Sequence, residues 1–214
     1  MFKDRNSVAE VNLIKMESFT LIEQAAQYFK GTATPAPARV VEALLEAEKT
    51  ARQTRFRPQF EELVGTWRLC LITGTKRARE RAGIALGAGR YLPRWVKICI
   101  SFQPAAIADL DPTIIAGRVE NCVEIGALKL SLSGPTKWWR DRNLLAFDFT
   151  QINVQLFGKT LYNGKIRGGE EKEANFYSER IGKQAFFAYF YTSKTAIAAR
   201  GKGGGLALWA RDNG

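Results

Sequence analysis

The chain has 214 residues, 46% of them apolar and 25% charged, which suffices for a buried core and excludes a disordered chain. Its 32 Lys and Arg outweigh 21 Asp and Glu, for a net charge of +11; residues 1–50 are nearly balanced, so the excess sits in residues 51–214 and points to an anionic partner. Histidine is absent, which removes the commonest general base and metal ligand, and no run approaches the about 18 apolar residues of a membrane-spanning helix.

The three cysteines, Cys70, Cys99 and Cys122, have no CxxC spacing and fall in strand-like runs. They read as small buried hydrophobes with free thiols, which suits a reducing compartment, and not as zinc ligands. The opening MFKDRNSVAEVN lacks the apolar centre of a secretory signal and the Ser/Arg richness of a transit peptide. The expectation is a protein that works where it is made, unless a targeting segment is missing from this sequence.

Residues 7–30 have helical character. Ser7 is placed to cap a first segment, and Thr20 and Glu23 have capping-box spacing ahead of a second, with Ile22, Ala25 and Phe29 on one face. GTATPAPA, residues 31–38, is rich in breakers. Residues 38–53 return to a helical period, with Val41, Leu44 and Leu45 apolar and Glu42, Glu46 and Lys49 polar. The simplest reading is a helical hairpin over 1–56 that packs on the domain formed by 57–214.

From Leu63 onward the period is two. Trp67, Leu69 and Leu71 alternate with Arg68 and Cys70; Ile98, Ile100 and Phe102 alternate with Lys97, Cys99 and Ser101. Leu128, Leu130 and Leu132 follow, then Leu145, Phe147 and Phe149, then Ile152, Val154 and Leu156, then Phe186, Ala188 and Phe190, and finally Leu206 and Leu208. One face is apolar and the other mixed, as in an antiparallel sheet with one dry side. Asn163-Gly164, Gly134-Pro135 and the glycines of RGKGGG are expected turns. About eight short strands after a helical start make an α+β chain with a closed or nearly closed antiparallel β-barrel.

Gly65-Thr66-Trp67 has the G-x-W pattern that opens the first strand of lipocalin-like barrels. The Trp plugs the closed end, and an Arg from the end of the chain lies across its ring; Arg211 and Arg200 are the candidates. The longer stretch LVGTWRLCLITG resembles the opening strand of the plastid-lipid-associated proteins, or fibrillins, of plastids and cyanobacteria. FTLIEQAAQYFKGTATPAPARVVEALLEAE is similar to that family's helical lead-in, and FFAYFYTSKTAIAARGKGGGLALWAR to its closing hairpin, with Arg200-Gly201 ahead of a glycine-rich turn. The resemblance spans residues 18–211 and rests on the order of these motifs. The chain departs from it in Tyr191-Thr192-Ser193, where many members carry Tyr-Leu-Asp, and in Leu71-Ile72-Thr73, where Tyr-Thr-Ser is usual.

The resemblance implies a lipocalin-like barrel, a lipophilic ligand (carotenoid, quinone or membrane lipid) and a place peripheral to the thylakoid in a cyanobacterial cytoplasm, or in a plastid if a transit peptide is missing. The expected pocket is the barrel interior, lined by Trp67, Leu69, Leu71, Ile98, Ile100, Phe102, Leu130, Phe147, Phe149, Val154, Phe186 and Phe190. Gly65, Arg200, Gly201 and Arg211 are structural. Lys76, Arg77, Arg79, Arg81, Arg90 and Arg94 lie in or beside the connection from the first strand to the second, which covers the mouth of such a barrel. There they would meet anionic lipid headgroups, each charge adding on the order of 1 kcal/mol near the surface. TKWWRDR adds Trp138, Trp139 and Arg140, since tryptophan beside cations suits a membrane interface.

Other chemistries are disfavoured. RGKGGG does not meet the phosphate-loop pattern, no carboxylate pair is placed as a dyad, and a Ser or Cys nucleophile lacks its His. No metal ligand set or required cofactor is expected, and no RNA- or DNA-binding motif accompanies the charge, so nucleic acid is an unlikely partner. The sequence therefore reads as a non-enzymatic binder of a lipophilic molecule at photosynthetic membranes. Two alternatives stay open: a structural adaptor that binds acidic photosynthetic proteins and has a filled barrel, and a bilin-handling lipocalin-like lyase or chaperone.

Overall fold

The computed structural model describes residues 3–74, 89–107 and 110–213. Helix α1 spans Lys3–Ala26 and α2 spans Pro37–Gln53. The expected break before Thr20 does not occur. Its Oγ1 donates to the Met16 carbonyl at 2.8 Å within a continuous helix, a local bond that stands in for capping. A 3₁₀ turn at Tyr28–Lys30 ends α1's run, and Pro37 opens α2 where its missing N–H costs nothing. A short helix α3, Phe60–Leu63, is held by a reciprocal cap between Gln59 and Glu62.

Among the described residues eleven strands follow: β1 Gly65–Ile72, β2 Arg90–Tyr91, β3 Val96–Pro104, β4 Ile114–Ile125, β5 Leu128–Trp139, β6 Leu144–Phe147, β7 Gln151–Leu156, β8 Lys159–Lys165, β9 Ala185–Thr192, β10 Ala196–Gly201 and β11 Leu206–Arg211. A last short helix, α4 (Gly169–Asn175), lies between β8 and β9. Eight strands close an antiparallel barrel in the order β4-β3-β1-β11-β10-β9-β6-β5, with β5 returning to β4. With the helices this makes the chain α+β.

The long strand β5 divides its pairing. Thr136–Trp139 pairs with β6 inside the ring, and Leu128–Ser133 pairs with β7, which carries β8 as a flap outside the ring. Gly134-Pro135, expected as a turn, sits inside β5 where the partner changes. A Cβ at Gly134 would meet the Asp148 carbonyl at 2.2 Å, so only glycine lets the chain between β6 and β7 cross there. Asn163-Gly164 is likewise no turn but part of β8, opposite Asn153 and Ile152. The β7–β8 turn is made by Phe157-Gly158, both at positive φ.

Two apolar clusters divide the interior. One fills the barrel: Trp67, Ile100, Phe102, Val119, Trp138, Leu145, Phe147, Tyr189, Ile197, Ala199 and Trp209, closed at one end by Phe60 and Leu63 of α3. The other lies between α1, α2 and the outer faces of β1, β9, β10 and β11, through residues such as Ile22, Val40, Leu44, Cys70, Leu71, Phe190, Ala198 and Leu208. The helices thus supply the second layer that the outer sheet face needs.

Candidate functional site

Gly65-Thr66-Trp67 opens β1. Gly65 has φ +118°, and a Cβ there would stand 2.7 Å from the Arg211 guanidinium. Arg211 uses that space to lie over the Trp67 ring, 4.6 Å from its centre. Arg200 does not share this role. It reaches α2, where its Nε donates to Glu48 at 2.7 Å, and its Nη1 donates to the Gly204 carbonyl at 2.6 Å. Burial raises the Glu48 pKa, but the hydrogen bonds and charge of Arg200, with Arg52 beside it, outweigh that and hold the carboxyl below its ordinary value. Gly201 ends β10 and takes part in the tight turn into β11.

The barrel interior is occupied by aromatic rings. Tyr189 meets Phe102 at 6.4 Å and Trp138 at 6.2 Å between centroids, and Phe187 meets Phe147 at 5.0 Å and Trp209 at 5.3 Å. Of the residues expected to line it, Trp67, Ile100, Phe102 and Phe147 belong to this cluster, with Leu69 and Phe149 half-buried against it. Leu71 and Phe190 do not: they sit in the outer cluster beneath the helices. In β1 a bulge is the reason: the register slips between Leu69 and Leu71, so the strand changes phase. In β9 Phe190 follows the inward Tyr189 and so falls on the outer face by simple alternation, and the bulge there turns Tyr191 outward as well. Phe186 lies on the face opposite Phe187 and Tyr189. Ile98, Leu130 and Val154 are half-buried on strands that run out past the ring toward the flap.

Lys76, Arg77, Arg79 and Arg81 lie outside the described residues. Arg90 is exposed on β2. Arg94 stacks on Tyr28, 4.9 Å from the ring centre, and donates to the Tyr28 carbonyl, tying the β2–β3 connection to the end of α1. Trp138 is not at the surface but at the barrel centre, 1% exposed. Trp139 is half-buried, with the Lys137 ammonium 4.9 Å from its ring, and Arg140 is exposed. Lys137 itself is buried on the outer face of β5. Its ammonium donates to the Phe176 carbonyl at 2.9 Å and the Glu179 carbonyl at 2.6 Å, and burial lowers its pKa. It fastens the segment after α4 to the barrel.

The candidate ligand site is elsewhere. A cleft of about 370 Å³ opens between α1, α2 and β9. Phe19, Phe56, Phe190 and Tyr191 wall it, Ala47, Thr50, Ala51 and Thr54 supply one helix face, and Lys15 and Thr192 complete it. The small residues at Ala47, Thr50, Ala51 and Thr54 have i, i+3, i+4, i+7 spacing, so α2 presents its thinnest face there. Phe19 and Tyr191 meet at 5.4 Å, and the Tyr191 hydroxyl donates to Glu23 at 2.6 Å. The Thr50 Oγ1 is buried and makes no hydrogen bond. The sequence reading missed this site, although the small-residue face of α2 was its one visible signal.

Among the described residues no group of His, Cys, Asp and Glu is placed to hold a metal, and no helix is long and apolar enough to cross a membrane. Comparison with protein-family models and with curated proteins finds no match for this chain.

Proposed function

We propose that the protein is a non-enzymatic binder of a lipophilic molecule, with a lipocalin-like barrel as scaffold and the cleft between α1, α2 and β9 as the ligand site. The observation that carries this reading is the cleft itself, in which the rings of Phe19, Phe56, Phe190 and Tyr191 stand against the small-residue face of α2. The cleft volume falls in the range of small-molecule sites, about 300–1,000 Å³. The resemblance to the fibrillins supports a carotenoid, quinone or lipid as the class, and a place peripheral to the thylakoid. The lack of histidine supports a binding role over a catalytic one.

A specific observation also favours the adaptor reading: the aromatic fill of the barrel leaves its interior to structure. One experiment decides between the two. Protein purified from a pigmented photosynthetic host is extracted with organic solvent and read by absorption and mass spectrometry, and a short-chain quinone is titrated against wild type and Thr54→Trp. Thr54 is exposed at the cleft, so the larger ring blocks it without entering the core. A near-stoichiometric extract, or quinone binding that Thr54→Trp abolishes, supports the binder. An empty extract with no binding by wild type overturns it and leaves the adaptor.

A further inference from the structure

The flap carries apolar side chains that the fold does not use. Along one end of the sheet, Val96 of β3 faces Ile125 of β4, Ile125 faces Leu128 of β5, Leu128 faces Leu156 of β7, and Leu156 faces Lys159 of β8. At about 4.8 Å per strand this row is roughly 19 Å long. Three turns project from it: Pro93–Val96, Ile125–Leu128 and Leu156–Lys159. The last two are tied together, because the Phe157 N–H donates to the Ala127 carbonyl at 3.0 Å.

These turns are apolar where turns are ordinarily polar. Phe157 is 81% exposed and Trp95 71%, and Ile125, Leu128, Leu156 and Leu161 are exposed as well. Phe157 also holds φ +50°, a conformation that asparagine or glycine adopts far more readily. The turn therefore bears backbone strain to present a ring to solvent, with no packing in return. The charges around it have one dominant sign. Within two positions of the row, Arg94, Lys97, Lys129 and Lys159 are cationic and Glu124 is the single carboxylate; Lys97 pairs with Asp212 at 2.8 Å and Lys129 with Glu124 at 3.5 Å.

We infer that this edge docks the protein on an anionic lipid bilayer, with Trp95, Ile125, Leu128, Leu156, Phe157 and Leu161 entering the headgroup layer. The shape selects a bilayer over a folded partner. The apolar groups stand on separate turn tips, as a comb and not a groove, and each tip can enter between headgroups by itself. A tryptophan at one end of the row and lysines just behind it match the interfacial pattern of aromatic ring plus cation. Apolar faces of interfacial proteins sit about 5–10 Å deep, a depth that two-residue turns reach. The inference rests on the proposed function only in placing the protein at a membrane; the edge shares no residue with the ligand cleft.

The test is co-sedimentation of the full chain with extruded vesicles of phosphatidylcholine, with and without phosphatidylglycerol, in low salt. Wild type is expected to sediment with the phosphatidylglycerol vesicles. The variant Phe157→Ser/Leu161→Ser is expected to bind about tenfold more weakly, since two exposed apolar side chains lose their burial. Both positions are exposed, so circular dichroism should match wild type. Lys159→Gln provides a second, milder loss, which added salt should erase. Unchanged binding by the double serine variant overturns the inference, as does wild type that ignores phosphatidylglycerol vesicles. A protein that binds quinone but no vesicle loses this edge and keeps the cleft. One that binds vesicles but no lipophile keeps the edge and loses the cleft.

Discussion

The Arg211 guanidinium lies 4.6 Å from the centre of the Trp67 indole, and its Nη1 donates to the Val64 carbonyl at 2.8 Å. The Trp67 N–H is bonded in turn to the Leu63 carbonyl at 2.7 Å. One aromatic and one cation thus join the last strand to the chain's entry into the first. Gly65→Ala should cost about 2 kcal/mol, because it meets both a positive φ and the guanidinium. Urea denaturation followed by circular dichroism reads it; an unchanged midpoint would show that Arg211 can leave the ring without penalty.

The Glu48–Arg200 pair makes stability depend on pH. The folded Glu48 carboxyl has a depressed pKa, so its contribution is complete above the unfolded value and is lost as pH falls through the folded one. Glu48→Gln should therefore weaken the protein at pH 7 by about 1–3 kcal/mol and flatten its acid-side decline below about pH 4.5. Denaturation midpoints at several pH values compare the two slopes. Parallel slopes would remove the pair from the account of acid stability.

Tyr189 is 1% exposed, and its hydroxyl finds no partner among the interior rings. Burial pushes its pKa up, so the group stays neutral. Removing an unsatisfied hydroxyl relieves its desolvation cost. Tyr189→Phe should be neutral or more stable, by up to about 1 kcal/mol. A clear loss in melting temperature would mean that the hydroxyl has a bonded partner in solution.

Burial pushes the Cys70 and Cys99 thiols up to about 12, and it raises Cys122 as well. A thiol so far from ionisation is a poor nucleophile. Native protein at pH 8 should leave all three unmodified by a disulfide reagent over minutes, and unfolding in guanidinium should release three equivalents. Rapid labelling of the native chain would contradict their burial.

The barrel was legible because its strands alternate; that an arginine lies over Trp67 was legible too, but the choice of Arg211 over Arg200 was not, because Arg200 is drawn to Glu48 on a helix distant in sequence. Phase was harder to read. In FFAYFY both faces carry aromatic rings, so alternation alone does not choose between Phe186 and Phe187; the helices over the outer face and the aromatic fill of the barrel decide it. Trp138 beside Trp139 looked like an interface pair, yet strand alternation sends one ring to the centre and leaves the other beside Lys137. Turn chemistry misled twice. Gly134-Pro135 answers to a close crossing of two chain segments, and Asn163-Gly164 yields the turn to Phe157-Gly158, where Gly158 suits its positive φ but Phe157 does not. The cleft was hidden because it depends on small residues of one helix meeting aromatic residues of a distant strand, a coincidence that only the tertiary arrangement reveals.

The divided pairing of β5 gives the molecule two levels of cooperativity. Every strand of the ring has a neighbour on both sides, so breaking one bond ladder there opens the barrel. Among the described residues, the flap hangs from β5 by a single ladder, and β8 pairs with β7 alone. Its amides should exchange with deuterium by a sub-global opening that leaves β1 and β11 protected. Sequence change in residues 151–165 can therefore accumulate with little cost to the rest, so the flap is free to adapt to a new surface while the barrel stays as it is.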